Sequence, residues 1–295
     1  MPNRLKDRLL NRLFRLVREN VRWRHSALIR FAIKPAYYRF LVMLGVKKVA
    51  VGPDDDAILF YAQNADRIMA VTEMLADEQS KRVYSQVWQF RQTRHKRHFP
   101  PYDWRPQYMK MFPFHKGEVF IDCGAYNGDT LDDFIRLCPR YGRIVAFEPQ
   151  AEMYAQLVAK YGKLRDATFL NAGVYDKDGE VSFSNAGGSS AITTESAPGL
   201  ETIRTTTIDS LQLDHVTYIK MDVEGAELNA LKGAEKTILR DKPRLAISIY
   251  HSNEDMVRLP EYLRKLVPEY RFRVRHHQCY PSIFETVLYA DVPTF

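Results

Sequence analysis

Long hydrophobic runs are missing from this chain. Its most apolar region, residues 27–46, is broken by Arg30, Lys34 and Arg39, and the longest uncharged run there, 40–46, has seven residues. A membrane-spanning helix needs about 20 mostly apolar residues, so none is expected. Charges also interrupt every apolar stretch of the first 20 residues, so no secretory leader is expected. Cysteine is scarce: Cys123, Cys138 and Cys279 are odd in number and lack metal-ligand spacing. That excludes a disulfide framework and reads as buried thiols of a reducing cytoplasm. With 14 Gly and 15 Pro in 295 residues, the chain is neither fibrous nor of low complexity. What is present is core material. The 17 Tyr and 16 Phe, within a 45% hydrophobic composition, argue for a globular fold of one large or two modest domains.

The net charge of +7 is unevenly placed. Residues 1–48 hold 13 Lys and Arg against Asp7 and Glu19, a local charge of +11, so the remainder carries −4. On a helical wheel Arg4, Arg8, Arg12, Arg15, Arg18 and Arg22 fall within an arc of about 120°, opposite Leu5, Leu9, Leu13, Phe14, Val17 and Val21. Residues 1–24 therefore read as a cationic amphipathic helix. Its apolar side is expected either to lie on an anionic membrane surface or to pack on protein, the catalytic domain or a second subunit of a homo-oligomer. Residues 57–98 read as further helices, and Pro100-Pro101 marks a boundary.

From residue 118 the texture becomes strand and helix in alternation. Strands are expected at 118–123, 143–148, 167–173, 216–222 and 244–250, with helices at 129–137, 151–161, 226–239 and 255–266, the last disturbed at Pro260. Residues 180–209 form a detour, and 270–276 with 284–290 a closing hairpin that puts one reversed strand at the edge. The alternation implies an α/β fold whose mostly parallel sheet is covered on both faces.

The ligand of such a sheet lies beyond the carboxyl ends of its strands. The first strand runs into Asp122-Cys123-Gly124-Ala125-Tyr126-Asn127-Gly128-Asp129. Its glycines allow backbone to approach a ligand closely, but the spacing is neither the dinucleotide fingerprint nor a phosphate-binding P-loop. Asp122 and Asp129 would repel phosphates and suit a positive group; the alternative is a purely structural turn. Glu148, 26 residues after Asp122, ends the second strand where an acid accepts both ribose hydroxyls, unless it only begins a helix. A ribose-binding acid beside a phosphate-averse turn points to S-adenosylmethionine.

These segments also resemble a known family. IDCGAYNGDT (121–130), VAFEP (145–149), FLNAGV (169–174), TIDSL (207–211) and IKMDVEGAE (219–227) are similar to the FkbM-type S-adenosylmethionine-dependent methyltransferases, over about residues 118–290. The resemblance implies a class I, Rossmann-like, seven-stranded methyltransferase sheet with a helical N-terminal extension. It implies that Asp122, Gly124, Ala125, Tyr126, Asn127, Gly128, Asp129 and Thr130 surround the methionyl half of the cofactor. Glu148 would take the ribose, and Asn171 with Ala172 would lie near adenine. Ala125 departs from the second glycine of many methyltransferases, yet is small enough to serve. The implied reaction is O-methylation of hydroxyls on sugars or natural products. The expected domains are a basic arm (1–50), a helical region (51–114) and the cofactor-binding domain (115–295).

Asp222 ends the fourth strand, with Glu224 and Glu227 at the start of the next helix, where capping alone favours acids by about 0.3–1 kcal/mol. Tyr250-His251 ends the fifth strand on the same edge. A hydroxyl attacks a methyl sulfonium best as it loses its proton, so a base is motivated; Asp222 and His251 are the candidates, with Glu224 beside them. His276-His277 is a weaker possibility for a metal set with Asp222 and His251, read rather as solvent-facing, and no resident metal is expected. Gly187-Gly188-Ser189-Ser190 offers flexible hydroxyls, and Gln107-Tyr108 a cover for the cofactor. The competing functions are an RNA methyltransferase and a membrane adaptor with a vestigial pocket. Against the first, the arm lacks the aromatic interleaving that stacks bases, so nucleic acid is not the expected partner. Against the second stand the intact acids Asp122, Glu148 and Asp222. The expected partner is a hydroxylated small-molecule, glycan or lipid-linked acceptor, met in the cytoplasm or at the inner face of the membrane.

Overall fold

The computed structural model describes residues 55–186, 189–193 and 201–293. Apart from Cys279–Ser282, the described residues belong to one compact unit. The arm expected over residues 1–24, and Gly187-Gly188 of the small-residue segment, lie outside the described residues. Among the described residues no helix is long and apolar enough to cross a membrane.

Among the described residues two helices come first, α1 (Asp55–Met74) and α2 (Glu78–Thr93). Asp77 caps α2 by accepting from the Ser80 amide at 2.7 Å. The strands β1 (Val119–Cys123), β2 (Arg143–Phe147), β3 (Ala167–Leu170), β8 (Tyr218–Met221), β9 (Arg244–Ser248), β10 (Arg271–His276) and β11 (Thr286–Asp291) build a seven-stranded sheet in the order β10-β11-β9-β8-β1-β2-β3. The five strands from β9 to β3 are parallel. Adjacent residues along each strand enter opposite cores: Ile121, Val145, Ile219 and Ile247 join one apolar cluster, and Phe120, Ile144, Tyr218 and Ala246 the other. This two-residue period, with both faces apolar, makes a parallel sheet sandwiched between helices. Those helices are α3 (Asp129–Leu137), α4 (Ala151–Tyr161), α5 (Glu227–Lys232), α6 (Glu235–Asp241) and α7 (Asp255–Leu266).

Four expectations change. The third strand ends at Leu170, and Gly173–Val174 (β4) joins a second sheet in the order β4-β7-β5-β6, with β5 (Gly179–Ala186), β6 (Ser189–Thr193) and β7 (Glu201–Thr206) built from the detour. The helix expected over 226–239 divides at Gly233, where a Cβ would stand 1.9 Å from the Tyr175 carbonyl oxygen. The reversed strand, β11, sits inside the sheet, antiparallel to both β9 and β10. Its first five residues are all buried, whereas β10 alternates with arginines and takes the edge. Pro260 leaves α7 continuous: the Met256 carbonyl that it cannot serve accepts instead from the Tyr84 hydroxyl at 2.9 Å.

Candidate active site

The turn after β1 is tied to the end of β2, because the Gly124 and Ala125 amides both donate to the Phe147 carbonyl, at 3.1 and 2.8 Å. Gly124 holds φ +80, and a Cβ there would lie 2.0 Å from the Asp222 carbonyl oxygen. Tyr126 adopts φ +49, a left-handed backbone that non-glycine residues reach at a cost of about 1–3 kcal/mol. Tyr126 and Asp129 are exposed and Gly124 and Asn127 half-exposed, whereas Ala125, Gly128 and Thr130 are buried.

Asp122 is wholly buried beneath the turn. Its partner is Lys220 of β8, whose Nζ lies 3.1 Å from Asp122 Oδ1. The same ammonium donates to the Gly124 carbonyl at 2.6 Å and the Cys123 carbonyl at 3.3 Å. Three oxygens for three protons identify the charged form. Burial disfavours the ammonium, but Asp122 and Asp222 outweigh it and hold Lys220 above its ordinary pKa; burial pushes Asp122 upward, opposed by Lys220. Lys220 was not singled out from sequence. The signal was there: a lysine within the apolar strand Tyr-Ile-Lys-Met needs a buried partner.

Glu148 is buried just past β2 and accepts from the Tyr126 amide on one oxygen and the Gln150 amide on the other, both at 2.8 Å. Burial still lifts its pKa, against those two bonds. It therefore shapes the turn through both of its oxygens. Asn171 Nδ2 donates to the Glu148 and Pro149 carbonyls at 2.9 and 3.0 Å, which turns the chain out of β3 and leaves Asn171 exposed beside buried Ala172.

Asp222, half-buried, gathers the polar groups at the ends of β8 and β9. Tyr108 donates to Oδ2 at 2.9 Å and Tyr250 to Oδ1 at 3.1 Å. His251 Nε2 lies 3.5 Å from Asp222 Oδ1 and 3.6 Å from Glu224 Oε2, while its Nδ1 lies 3.0 Å from Glu227 Oε1. Burial works against an ionised Asp222, but Lys220, His251 and the Tyr108 hydroxyl keep its pKa below the usual carboxylate range. Burial likewise opposes the imidazolium, yet Glu227, Asp222 and Glu224 carry His251 up to about 9. Burial raises Glu224, with His251 pulling the other way. Glu224 sits at φ +56, so the β8 turn is strained at the residue that faces His251. Glu227 also accepts from the Val223 amide at 2.9 Å, so it braces the turn and faces the imidazole at once.

His276 and His277 do not join this cluster, and both are buried rather than solvent-facing. His276 Nδ1 meets Thr286 Oγ1 at 2.9 Å. His277 Nε2 meets the Tyr289 hydroxyl at 2.8 Å and its Nδ1 the Asp103 carbonyl at 3.2 Å; burial, opposed by Asp103, lowers it to about 4. Gln107 donates to Glu285, and Tyr108 covers Asp222 and Ser248. The set can hold a cationic ligand along the β1–β2 edge and take up a proton at the β8–β9 edge.

The Methyltransferase FkbM domain model matches residues 122–274. The chain is similar to the crystal structure of methyltransferase FkbM from Methylobacillus flagellatus KT, at 27% identity and a TM-score of 0.68, over 79% of this chain and 60% of that one. It thus spans about three fifths of that protein's length. It is also similar to an rRNA methylase from Streptococcus thermophilus (13% identity, TM-score 0.41, 62% of this chain and 90% of that one). A third similar structure is fibrillarin from Aeropyrum pernix with natively bound S-adenosyl-L-methionine (12% identity, TM-score 0.41, 62% of this chain and 70% of that one). No curated protein matches the chain.

Proposed function

Since the chain belongs to the FkbM methyltransferase family, we propose that it is an S-adenosylmethionine-dependent O-methyltransferase acting on a hydroxyl of a sugar, glycan or lipid-linked acceptor. The observation that carries this reading is the carboxylate edge, Glu148 and Asp129 at one end and Asp222 with Glu224 at the other, around a turn opened by Gly124. These residues fit a cationic, phosphate-free cofactor. The Lys220 ammonium lies below the turn, committed to Asp122 and two carbonyls, and is not offered to a phosphate.

Glu148 would hold the ribose, since each of its oxygens accepts one amide and keeps a second lone pair. Gly124, Tyr126, Asn127 and Asp129 would line the methionyl half, and Asn171 with Ala172 the adenine. When bound, the cofactor supplies a methyl group on a positively charged sulfur. The hydroxyl proton passes to the Asp222–Glu224 side of the cluster. Glu224, exposed and with a raised proton affinity, is the better acceptor of the two. His251, held at Nδ1 by Glu227, keeps these carboxylates in place. Positioned acid–base groups of this kind typically contribute about 10²–10⁴-fold.

Calorimetry with S-adenosylmethionine tests the first step. Glu148→Ala should weaken binding through loss of a charged hydrogen bond, by about 1.5–3 kcal/mol; an unchanged Kd removes the ribose assignment. Methyl-labelled cofactor incubated with glycan and lipid-linked acceptors tests the second. Label appearing on nitrogen or carbon and not on oxygen overturns the O-methyl reading.

A further inference from the structure

Asp222, Glu227 and His251 each offer one ligand atom, and these atoms all lie within 4.8 Å of one another. Glu224 Oε2, at 3.6 Å from His251 Nε2, closes the exposed side. Such a cluster is by itself only a collection of acids around a histidine. A second observation distinguishes it: the Glu227 side chain is wholly buried, and its Oε2 has no hydrogen-bond partner. A buried carboxylate oxygen left unmatched costs about 1–3 kcal/mol or more. Oε1 is committed to the Val223 amide and to His251, so the unmatched oxygen is the one left for something else. The strained φ of Glu224 and the close approach of Gly124 to Asp222 hold the surrounding backbone around this point.

We propose that Asp222, Glu227 and His251, completed by Glu224, bind a divalent cation. Three carboxylates to one imidazole suit an oxygen-preferring ion of the Mn²⁺ or Mg²⁺ class, and the three negative charges exceed what one imidazolium neutralises. The site lies at the carboxyl ends of β8 and β9, where the methyl-transfer reading puts the acceptor. The cation's use rests on that reading: it would bind the acceptor hydroxyl oxygen, and with Asp222 and Glu224 then engaged as ligands the proton would leave to water at the open side instead of passing to Glu224 directly. Its binding does not rest on that reading. His251 then acts as a ligand, and not as the base that the sequence brings to mind.

Mn²⁺ titrated into the full chain, with free ion followed by electron paramagnetic resonance, should show one saturable site. Glu227→Gln should weaken it at least tenfold. In the unmodified chain, substoichiometric Mn²⁺ should broaden the ring resonances of His251 before those of the other histidines, a readout that needs no variant to fold. Absence of saturable binding, an unchanged affinity in Glu227→Gln, or broadening centred on another histidine overturns the site. Calorimetry with S-adenosylmethionine on the same sample separates the two claims. Cofactor bound by a protein that ignores Mn²⁺ sinks the cation and spares the methyltransferase; Mn²⁺ bound by a protein that ignores the cofactor does the reverse.

Discussion

Replacing Lys220 with methionine removes the ammonium and leaves an unbranched apolar side chain one heavy atom shorter. Asp122 then remains wholly buried with its partner gone, and the Gly124 and Cys123 carbonyls each lose a donor. Stripping one member from a buried ion pair typically costs about 3–5 kcal/mol. Protonation sets a ceiling on the carboxylate's share. From an ordinary pKa near 3.9, neutralising it at pH 7 costs about 4 kcal/mol, and at pH 5 only about 1.5 kcal/mol. The sign follows from proton counts. In Lys220→Met the folded protein holds the Asp122 proton to higher pH than the unfolded chain does. Stability is therefore retained below about pH 4 and falls as pH rises through the window above it. Urea unfolding should show the variant about 3–4 kcal/mol less stable than the parent at pH 7, with the gap narrowing to about 1–2 kcal/mol at pH 5. Adding Asp122→Asn should recover most of the pH 7 loss and flatten the pH dependence. A loss under about 1 kcal/mol at pH 7, or an equal loss at both pH values that Asp122→Asn leaves unchanged, would refute the buried-pair argument.

Gly124→Ala combines a left-handed φ with a Cβ 2.0 Å from the Asp222 carbonyl, so cofactor affinity and turnover should fall together, by calorimetry and a methyl-transfer assay. Affinity equal to the parent's would show that the turn and Asp222 are not in the contact described. His277, lowered to about 4, takes up its proton in the unfolded chain first. As pH falls from about 6.5 to 4 it should remove up to about 3 kcal/mol of stability, and His277→Gln should lose that part of the pH dependence in urea titrations. The arginine face of residues 1–24 should carry the full chain onto anionic liposomes in flotation, each basic residue contributing about 1 kcal/mol. A chain beginning near Pro35 should stay behind, and equal behaviour of the two would remove the membrane role.

The sheet was legible because its strands are short, mostly apolar runs in alternation with helical segments, and a run such as Ile144–Phe147, buried on both faces, fits the middle of a parallel sheet. Periodicity failed where one contact decides. Nothing in a 3.6-residue pattern marks Gly233 as lying against the Tyr175 carbonyl, and nothing in a strand pattern says that the Asn171 amide will take two carbonyls and end β3. The hairpin was legible, but its place was not, because strand order depends on which arm is apolar on both sides. At the site, sequence placed Asp222, Glu224 and His251 on one edge. It could not say which imidazole nitrogen meets which carboxylate, since that depends on Glu227, a residue equally at home as a cap. Tyr108 escaped a firm role because it reaches Asp222 from 114 residues away.

The burial of the acids sorts their work. Asp122 and Glu148 spend their charge on backbone-linked partners: Asp122 on an ammonium that also grips the Gly124 carbonyl, Glu148 on the Tyr126 amide. Both therefore hold the one turn from opposite sides. That turn touches Asp222 through Gly124, and the Asp222 amide donates back to the Cys123 carbonyl at 3.0 Å. The backbone that would meet the cofactor and the carboxylate that would meet the acceptor are thus a single packed unit. Displacing either by an ångström moves the other, and methyl transfer is a displacement whose rate depends on the distance and alignment of its two reactants. The carboxylates left partly open, Asp222 and Glu224, are the ones whose charge can respond to a ligand. Enclosing them as Asp122 is enclosed would fix the geometry at the expense of the chemistry.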